Sequence, residues 1–398
     1  MRSFAVTNPS PYAWGSARPS AWIRRLRAAL VVLLGLSSGA CIKTSTSLDQ
    51  AAGALARDLA RQLGPQLQES ETLVIDPMVD RATGQQTGAS LRLQEVLTDS
   101  LLAGLPDITI VGLSRTSIDE SRLLLAGTLT TVPDTVDQYT ASVSLTDRDV
   151  GLVVAQAAAR FEEAELDQSP TPFFDESPSL TRDRSVEGYL TTAETRRGRP
   201  ADALYLDQLS TTALLTEALE RYNEGSWSEA LERYQAAADR PDGQQLRTFN
   251  GIYLTSLKLN RVADAEEAFG RIVSLGLATD NLAVKLLFRP GSTDFWPSAE
   301  VSGMYPMWLR RIAEAAASSG SCLNIMGHTS RSGSEELNDR LSLQRAERVA
   351  ELLEANADLA GQLRATGRGF RDNIVGTGRD DASDAIDRRV EFSVVPCA

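Results

Sequence analysis

Apolar residues recur along this chain with two periods, and the changes from one to the other divide it. Leu55, Leu59 and Leu63 return every four residues, the stripe of an amphipathic helix within 43–70. Thr72–Pro77 is a short apolar run closed by proline and reads as a strand. Leu91–Leu105 has helical spacing, with Ser90 as the expected N-cap. Ile108–Leu113, Leu123–Val132 and Tyr139–Thr146 read as strands, and Val150–Ala155 continues them after a turn at 147–149. This order predicts an α+β domain over residues 71–163.

The pattern then breaks. Gln168-Ser169-Pro170-Thr171-Pro172 and Asp175-Glu176-Ser177-Pro178 mark a linker over 164–200, and Thr195–Pro200 adds a short basic patch that reads as a solvated turn. Residues 201–280 are helical and contain a repeat. Tyr222, Gly225, Trp227, Ala230 and Tyr234 are answered, 35 residues on, by Leu257, Asn260, Val262, Ala265 and Phe269. Small residues let paired helices approach and aromatic rings fill the groove between them. This resembles a pair of tetratricopeptide repeats. The resemblance implies a groove for a partner peptide; the other reading is a helical spacer.

Residues 281–398 return to alternation. Val284–Phe288 is the expected first strand, and Pro306–Ala317 a helix with Met307, Trp308, Ile312 and Ala316 facing inward. Leu323–His328, Leu363–Gly369 and Val390–Val395 are strands, the last alternating Val390, Phe392 and Val394. Between the first two of these runs a long helix from Ser334, its start reinforced by Ser332 and Glu335 as a capping box. Leu337, Leu341, Val349 and Leu352 share a face of that helix, and Arg345 lies in the middle of the stripe. A guanidinium among hydrophobes is costly without an anion. The anion is either internal, from Glu335, Glu336 or Asp339, or part of a bound ligand.

The stretch Gly327–Val349 decides how these options are weighed. Gly327, His328, Thr329, Gly333, Ser334, Asn338, Leu341, Ser342, Arg345, Ala346 and Val349 stand in register with the motif of the peptidoglycan-binding domain of OmpA, Pal and MotB. Asp387-Arg388-Arg389-Val390-Glu391-Phe392 resembles the closing strand of that family. The resemblance covers about residues 283–397 and implies a βαβαβ domain with a mixed sheet. It also implies a pocket of Thr329, Ser330, Asn338 and Arg345 for the diaminopimelate of a peptidoglycan stem peptide. In the family an aspartate stands where Ser330 stands here. That aspartate takes the ligand's ammonium while the arginine takes its carboxylate. A serine supplies no charge, so the resemblance implies a weakened pocket. His328 is the only histidine and reads as a packing or hydrogen-bonding residue, which excludes histidine-pair metal sites and leaves a Ser-His-Asp or Cys-His centre implausible. No catalytic residue, metal or cofactor is expected.

The first 40 residues hold five arginines, no lysine and no acid, and Arg24-Arg25-Leu26-Arg27 precedes the apolar run Ala28–Leu36. The run is too short to span a bilayer and fits a secretory signal. Ser37-Ser38-Gly39-Ala40-Cys41 resembles a lipobox, which implies lipidation of Cys41; a plain signal peptide cleaved nearby is the alternative. Ile42 stands where enterobacterial lipoproteins retained at the inner membrane carry Asp, so an outer-membrane lipid anchor facing the periplasm is expected. The chain carries a formal charge of −13, and removal of the five leader arginines takes it to −18. Such a protein is a poor ligand for nucleic acid.

Of three cysteines, Cys41 being assigned to the lipid, Cys322 opens one strand and Cys397 closes another. Antiparallel neighbours would bring them together, so a disulfide is expected. Residues 71–163 are similar in texture to lipoprotein domains of the penicillin-binding-protein-activator type, through Leu73–Pro77, Leu124–Leu129, Val143–Asp147 and Gly151. Asp76, Asp80 and Asp147 there read as solvated acids.

The chain thus reads as multidomain α+β. A signal peptide (1–40) is followed by a lipidated tether and helix (41–70), an activator-like α+β domain (71–163), a linker (164–200), the repeat pair (201–280) and an OmpA-like domain (281–398). The expected function is a non-enzymatic outer-membrane lipoprotein tethered to peptidoglycan. Its rival is a periplasmic adaptor that recruits an envelope protein through the repeats and keeps the last domain as scaffold.

Overall fold

The structure, a computed structural model, describes residues 43–44, 47–64, 71–132, 135, 137–289, 291–376 and 386–397. The leader, Cys41 and Ile42 lie outside the described residues. β1 (Lys43–Thr44) leads into α1 (Leu48–Leu63), β2 (Thr72–Ile75), β3 (Val79–Asp80), α2 (Gly88–Gly104), β4 (Thr109–Gly112), α3 (Arg115–Glu120), β5 (Leu123–Thr131), β6 (Gln138–Asp147) and β7 (Leu152–Glu162). These strands form one sheet in the order β1-β7-β6-β5-β2-β4, with β3 also on β5. β5, β6 and β7 are antiparallel neighbours, whereas β2 runs parallel to both β4 and β5. Period-two alternation serves both faces. Leu73, Ile75, Leu123 and Leu125 pack with the leucines of α1 and α2, while Val74, Leu124 and Ala126 face the other way.

Three local expectations are corrected here. α2 is capped by Thr87, and Ser90 is its partner in a reciprocal capping box. The helix begins at Gly88, directly after that cap, and Gly88 packs on Asp167, whose Oδ2 would lie 2.6 Å from an added Cβ. β7 extends seven residues beyond Ala155 because Ala157, Ala159 and Phe161 keep the buried alternation. Asp76 is not solvated. It is 4% exposed and accepts a 2.7 Å hydrogen bond from Tyr205 Oη. Burial pushes its carboxyl up to about 6, against the Tyr205 hydroxyl and the charge of Arg247. Asp147 is paired with Arg122, which also reaches Glu71 Oε2 at 2.9 Å.

The stretch expected as a linker holds α4 (Pro172–Glu176) and α5 (Arg184–Glu194), both with buried faces. α6 (Ala203–Asp207) follows. α7 (Leu209–Asn223), α8 (Trp227–Ala238), α9 (Leu246–Lys258) and α10 (Val262–Ala278) then pack each on the next. The 35-residue repeat recurs as geometry. Gly225 and Asn260 take left-handed φ values of 80° and 58° at the two interhelix turns. Ala230 and Ala265, and Tyr234 and Phe269, are fully buried at matching positions.

β8 (Leu282–Val284) is shorter and earlier than expected, because beyond it the backbone bonds elsewhere: Lys285 N donates to Pro178 O and Leu287 N to Tyr305 Oη. α11 (Ala299–Ser302), α12 (Tyr305–Ser319), β9 (Cys322–His328), α13 (Glu335–Glu354), β10 (Leu363–Gly369) and β11 (Val390–Val395) complete the chain. The second sheet has the order β10-β9-β11-β8, with β10 parallel to β9 and β11 antiparallel to both its neighbours. Met307, Trp308, Ile312 and Ala316 face inward from α12. Trp308 stacks on Phe269 of α10 at 5.4 Å and donates to Tyr253 Oη of α9, so helices and second sheet share a core. Val395 pairs with Cys322 across the antiparallel ladder, and two residues later Cys397 closes the expected disulfide, with a Cα–Cα separation of 5.2 Å. No described helix is long and apolar enough to cross a membrane.

Candidate binding site

α13 lies unusually close to the second sheet because two glycines face each other beneath it. Gly327 on β9 and Gly367 on β10 are register partners. A Cβ at Gly327 would sit 2.1 Å from Ser342 O, and one at Gly367 2.7 Å from Leu343 N. With side chains absent there, the helix backbone meets the strands directly. Ser342 fixes the contact: its hydroxyl donates to Asp339 O and accepts from Gly369 N at 2.9 Å.

The buried row of α13 is Asn338, Ser342, Arg345, Ala346, Val349 and Leu353. Leu337, expected inside, is 50% exposed, and Leu341 and Leu352 are half-buried. Arg345 and Val349 face inward as expected, and Leu337, Leu341 and Leu352 each give way to the next residue along the helix. Its first half therefore buries polar groups and its second half hydrophobes.

The polar half organises two loops. Asn338 Nδ2 donates to Ser332 O (2.7 Å) and Ser334 O (3.0 Å), which pins the turn after β9. Ser334 caps α13 by accepting from Leu337 N, so the expected pairing of Ser332 with Glu335 is not the cap. About two helical turns further, Arg345 Nε donates to Ser292 O (3.1 Å) and Nη2 to Arg289 O (3.2 Å). Its guanidinium lies 4.8 Å from the centre of the Phe288 ring. Arg345 is 4% exposed, so it does not project freely into solvent. Of the acids named as internal partners, Glu335 and Asp339 both pair with Arg371.

Thr329 and Ser330 are buried in the turn that Asn338 holds. Thr329 N donates to Gly369 O, while its hydroxyl meets no partner among the described residues. Ser330 Oγ lies 3.4 Å from Ser332 Oγ. His328, at the end of β9, is buried with Nε2 3.5 Å from Glu391 Oε2, and Arg389 approaches the other oxygen of that carboxylate at 2.6 Å. Burial alone would raise the Glu391 carboxyl; the His328 contact and the Arg389 charge outweigh it and hold it at about 2. Asp387 accepts from Ile374 N, Val375 N and Gly376 N and so shapes the neighbouring loop. Thr329, Ser330 and Asn338 thus meet at the turn after β9, while Arg345 sits further along α13 against the chain that follows β8. Asn338 acts at that turn as a loop-positioning residue. Among the described residues no group of His, Cys, Asp and Glu is placed to hold a metal.

A mixed four-stranded sheet under one close-packed helix, with buried polar side chains along the first half of that helix, defines the C-terminal part as an α/β domain. Residues 287–386 match the OmpA family, so this part of the chain is an OmpA family domain. Among solved structures, the peptidoglycan-associated lipoprotein from Burkholderia pseudomallei is similar at 27% identity over 28% of this chain and 89% of that one, with a TM-score of 0.24. The cell wall anchor of the T6SS from Pseudomonas aeruginosa is 28% identical over 29% of this chain and 80% of that one, also at 0.24. The periplasmic domain of Helicobacter pylori MotB is 20% identical over 29% and 74%, again at 0.24. A search of the curated proteins found no match.

Sequence reasoning did not foresee Phe288 under the guanidinium or the carbonyls of Arg289 and Ser292 on it. Backbone acceptors leave no trace in residue type. The roles of Asp387, Arg389 and Glu391 had a signal, since all three lie in the closing motif.

Proposed function

We propose that this chain is a non-enzymatic, lipid-anchored protein of the outer membrane that faces the periplasm and holds peptidoglycan through its C-terminal domain. The observation that carries the reading is the polar half of α13 within an OmpA family domain. Asn338 fixes the turn bearing Thr329 and Ser330, and Arg345 is oriented by two carbonyls and a ring. A fixed guanidinium plane is the geometry suited to bidentate capture of a carboxylate. Thr329 Oγ1, buried and without a partner among the described residues, is a polar atom that a ligand can satisfy.

In this reading Arg345 takes the carboxylate of diaminopimelate in a stem peptide. Ser330 faces the ammonium with a hydroxyl and no charge. Cys41 carries the acyl anchor at the other end of the mature chain. Titration calorimetry of the full chain with a diaminopimelate-containing stem peptide tests it. Heat of binding that disappears in Arg345→Ala supports the reading, and an intact chain that takes up no stem peptide at millimolar concentration contradicts it.

A further inference from the structure

The rival adaptor reading requires an open groove on the helical repeats, and the inner face of that array is already filled. α4 packs on both α7 and α9. Its Phe173 is fully buried, 5.7 Å from the Tyr222 ring and 5.9 Å from the Tyr234 ring between centroids. The contact extends beyond packed rings, because the helices also read the backbone of the segment. Phe173 N donates to Asn223 Oδ1 at 3.2 Å. Six residues on, Ser179 N and Oγ both donate to Asn250 Oδ1, and Asn250 Nδ2 returns a 3.0 Å bond to Ser179 Oγ. At the end of α4 a single carboxylate is bound twice: Glu176 accepts from Tyr222 Oη and pairs with Lys258 Nζ at 2.8 Å.

The same segment is gripped at both ends by other parts of the molecule. Before α4, Pro170 bridges Thr87, and Thr171 N donates to Gln86 O, at the start of α2 beside the first sheet. After α4, Leu180 N donates to Ala283 O and Lys285 N to Pro178 O, which adds an extended piece of chain to the edge of β8 in the second sheet. Two sheets and the helical array are thus joined by about ten residues. Prolines at 170, 172 and 178 hold the segment extended on either side of one helical turn.

We propose that the inner face of α7 and α9 is a peptide-recognition groove loaded in cis with residues 171–180, a built-in ligand that locks the first sheet to the second. Asparagines that bind the ligand backbone, a pocket for an aromatic ring and a tyrosine–lysine pair for the following carboxylate define what the groove accepts. It takes one helical turn with adjacent aromatic residues and then an acid, flanked by extended chain, the chemistry of Pro172-Phe173-Phe174-Asp175-Glu176. An outside protein would have to carry that chemistry and displace the strap. The inference does not depend on peptidoglycan binding.

The test uses the full chain with Phe173→Ala and Phe174→Ala together, and a synthetic peptide of residues 168–181. The peptide is expected to bind the double variant at least tenfold more tightly than the wild type, and a peptide with both phenylalanines changed to alanine is expected not to bind. A folded double variant that ignores the peptide, or a wild type that binds it equally well, overturns the proposal. Should the double variant not fold, Lys258→Glu asks the same question from a partly exposed side chain. Amide exchange at Ser179 and Leu180 is then expected to quicken tenfold or more while β9 and β10 amides keep their rates. Unchanged rates at Ser179 and Leu180 overturn the proposal.

Discussion

α13 and the strap at 171–180 are both buried against neighbours, yet they hold their order in opposite ways. α13 carries its own instructions. Its cap is Ser334, its close approach to the sheet is set by Gly327 and Gly367, and its buried row has helical spacing. The strap carries almost none. Only one turn of it is helical, and its polar groups find partners contributed by α7, α9, β8 and the start of α2. A segment of the first kind can be altered and keep its shape. A segment of the second kind is expected to lose order as its partners are taken away.

The largest effect is expected where the strap enters the core. Phe173→Ala removes a fully buried ring from contact with Tyr222 and Tyr234 and should cost about 3–5 kcal/mol, read as a drop in thermal midpoint. A loss below about 1 kcal/mol would mean that the strap is only laid on the helices. The C-terminal domain has its own fastening in the disulfide. Replacing Cys322 and Cys397 by serine opens a loop closed over 75 residues and should cost roughly 4 kcal/mol on the chain-entropy account. Exchange protection of Ser179 and Leu180 should survive if the two regions are held independently.

A smaller effect sharpens the site. If Arg345 and Ser330 hold diaminopimelate as proposed, Ser330→Asp places a charge opposite its ammonium, and a charge-assisted bond of about 1.5–3 kcal/mol should tighten stem-peptide binding roughly ten- to a hundredfold. No gain in calorimetry would remove Ser330 from the pocket. The smallest effect concerns acid. Glu391 is held at about 2 against 4.5 when unfolded. The unfolded state therefore takes up a proton first, and the stability this group adds is complete above pH 4.5 and lost as pH falls towards 2. Partial exposure of the pair screens it. Glu391→Gln should flatten the stability profile in that window, as measured by denaturant titration at stepped pH. Asp76, pushed up to about 6, has the opposite sign: its stabilising share is fullest below 3.8 and falls as pH rises towards 6.

The same contrast explains what could be read from residue order. β10 and β11 fall on the expected boundaries, each a short run set off by polar loops. The helical repeat was visible because its small and aromatic positions recur at a constant offset. On α13 the hydrophobic stripe is right at Arg345 and Val349 and one residue off at Leu337, Leu341 and Leu352, because the helix buries Asn338 and Ser342 where apolar periodicity favours leucine. In β7 the alternation is carried by alanines, which signal a strand weakly. The strap reads as a linker in sequence because proline, serine and acids dominate it. The adjacent Phe173 and Phe174 were the one sign that it enters a core, and which core it enters is settled by residues from 50 to 110 positions away.

In the proposed function Arg345 holds a wall-derived carboxylate. Co-sedimentation of the full chain with purified sacculi tests it most directly, with Arg345→Ala compared at equal concentration after its fold and disulfide have been checked. The wild type is expected to pellet with the sacculi and the variant to stay in solution. An Arg345→Ala protein that pellets as the wild type does would contradict it.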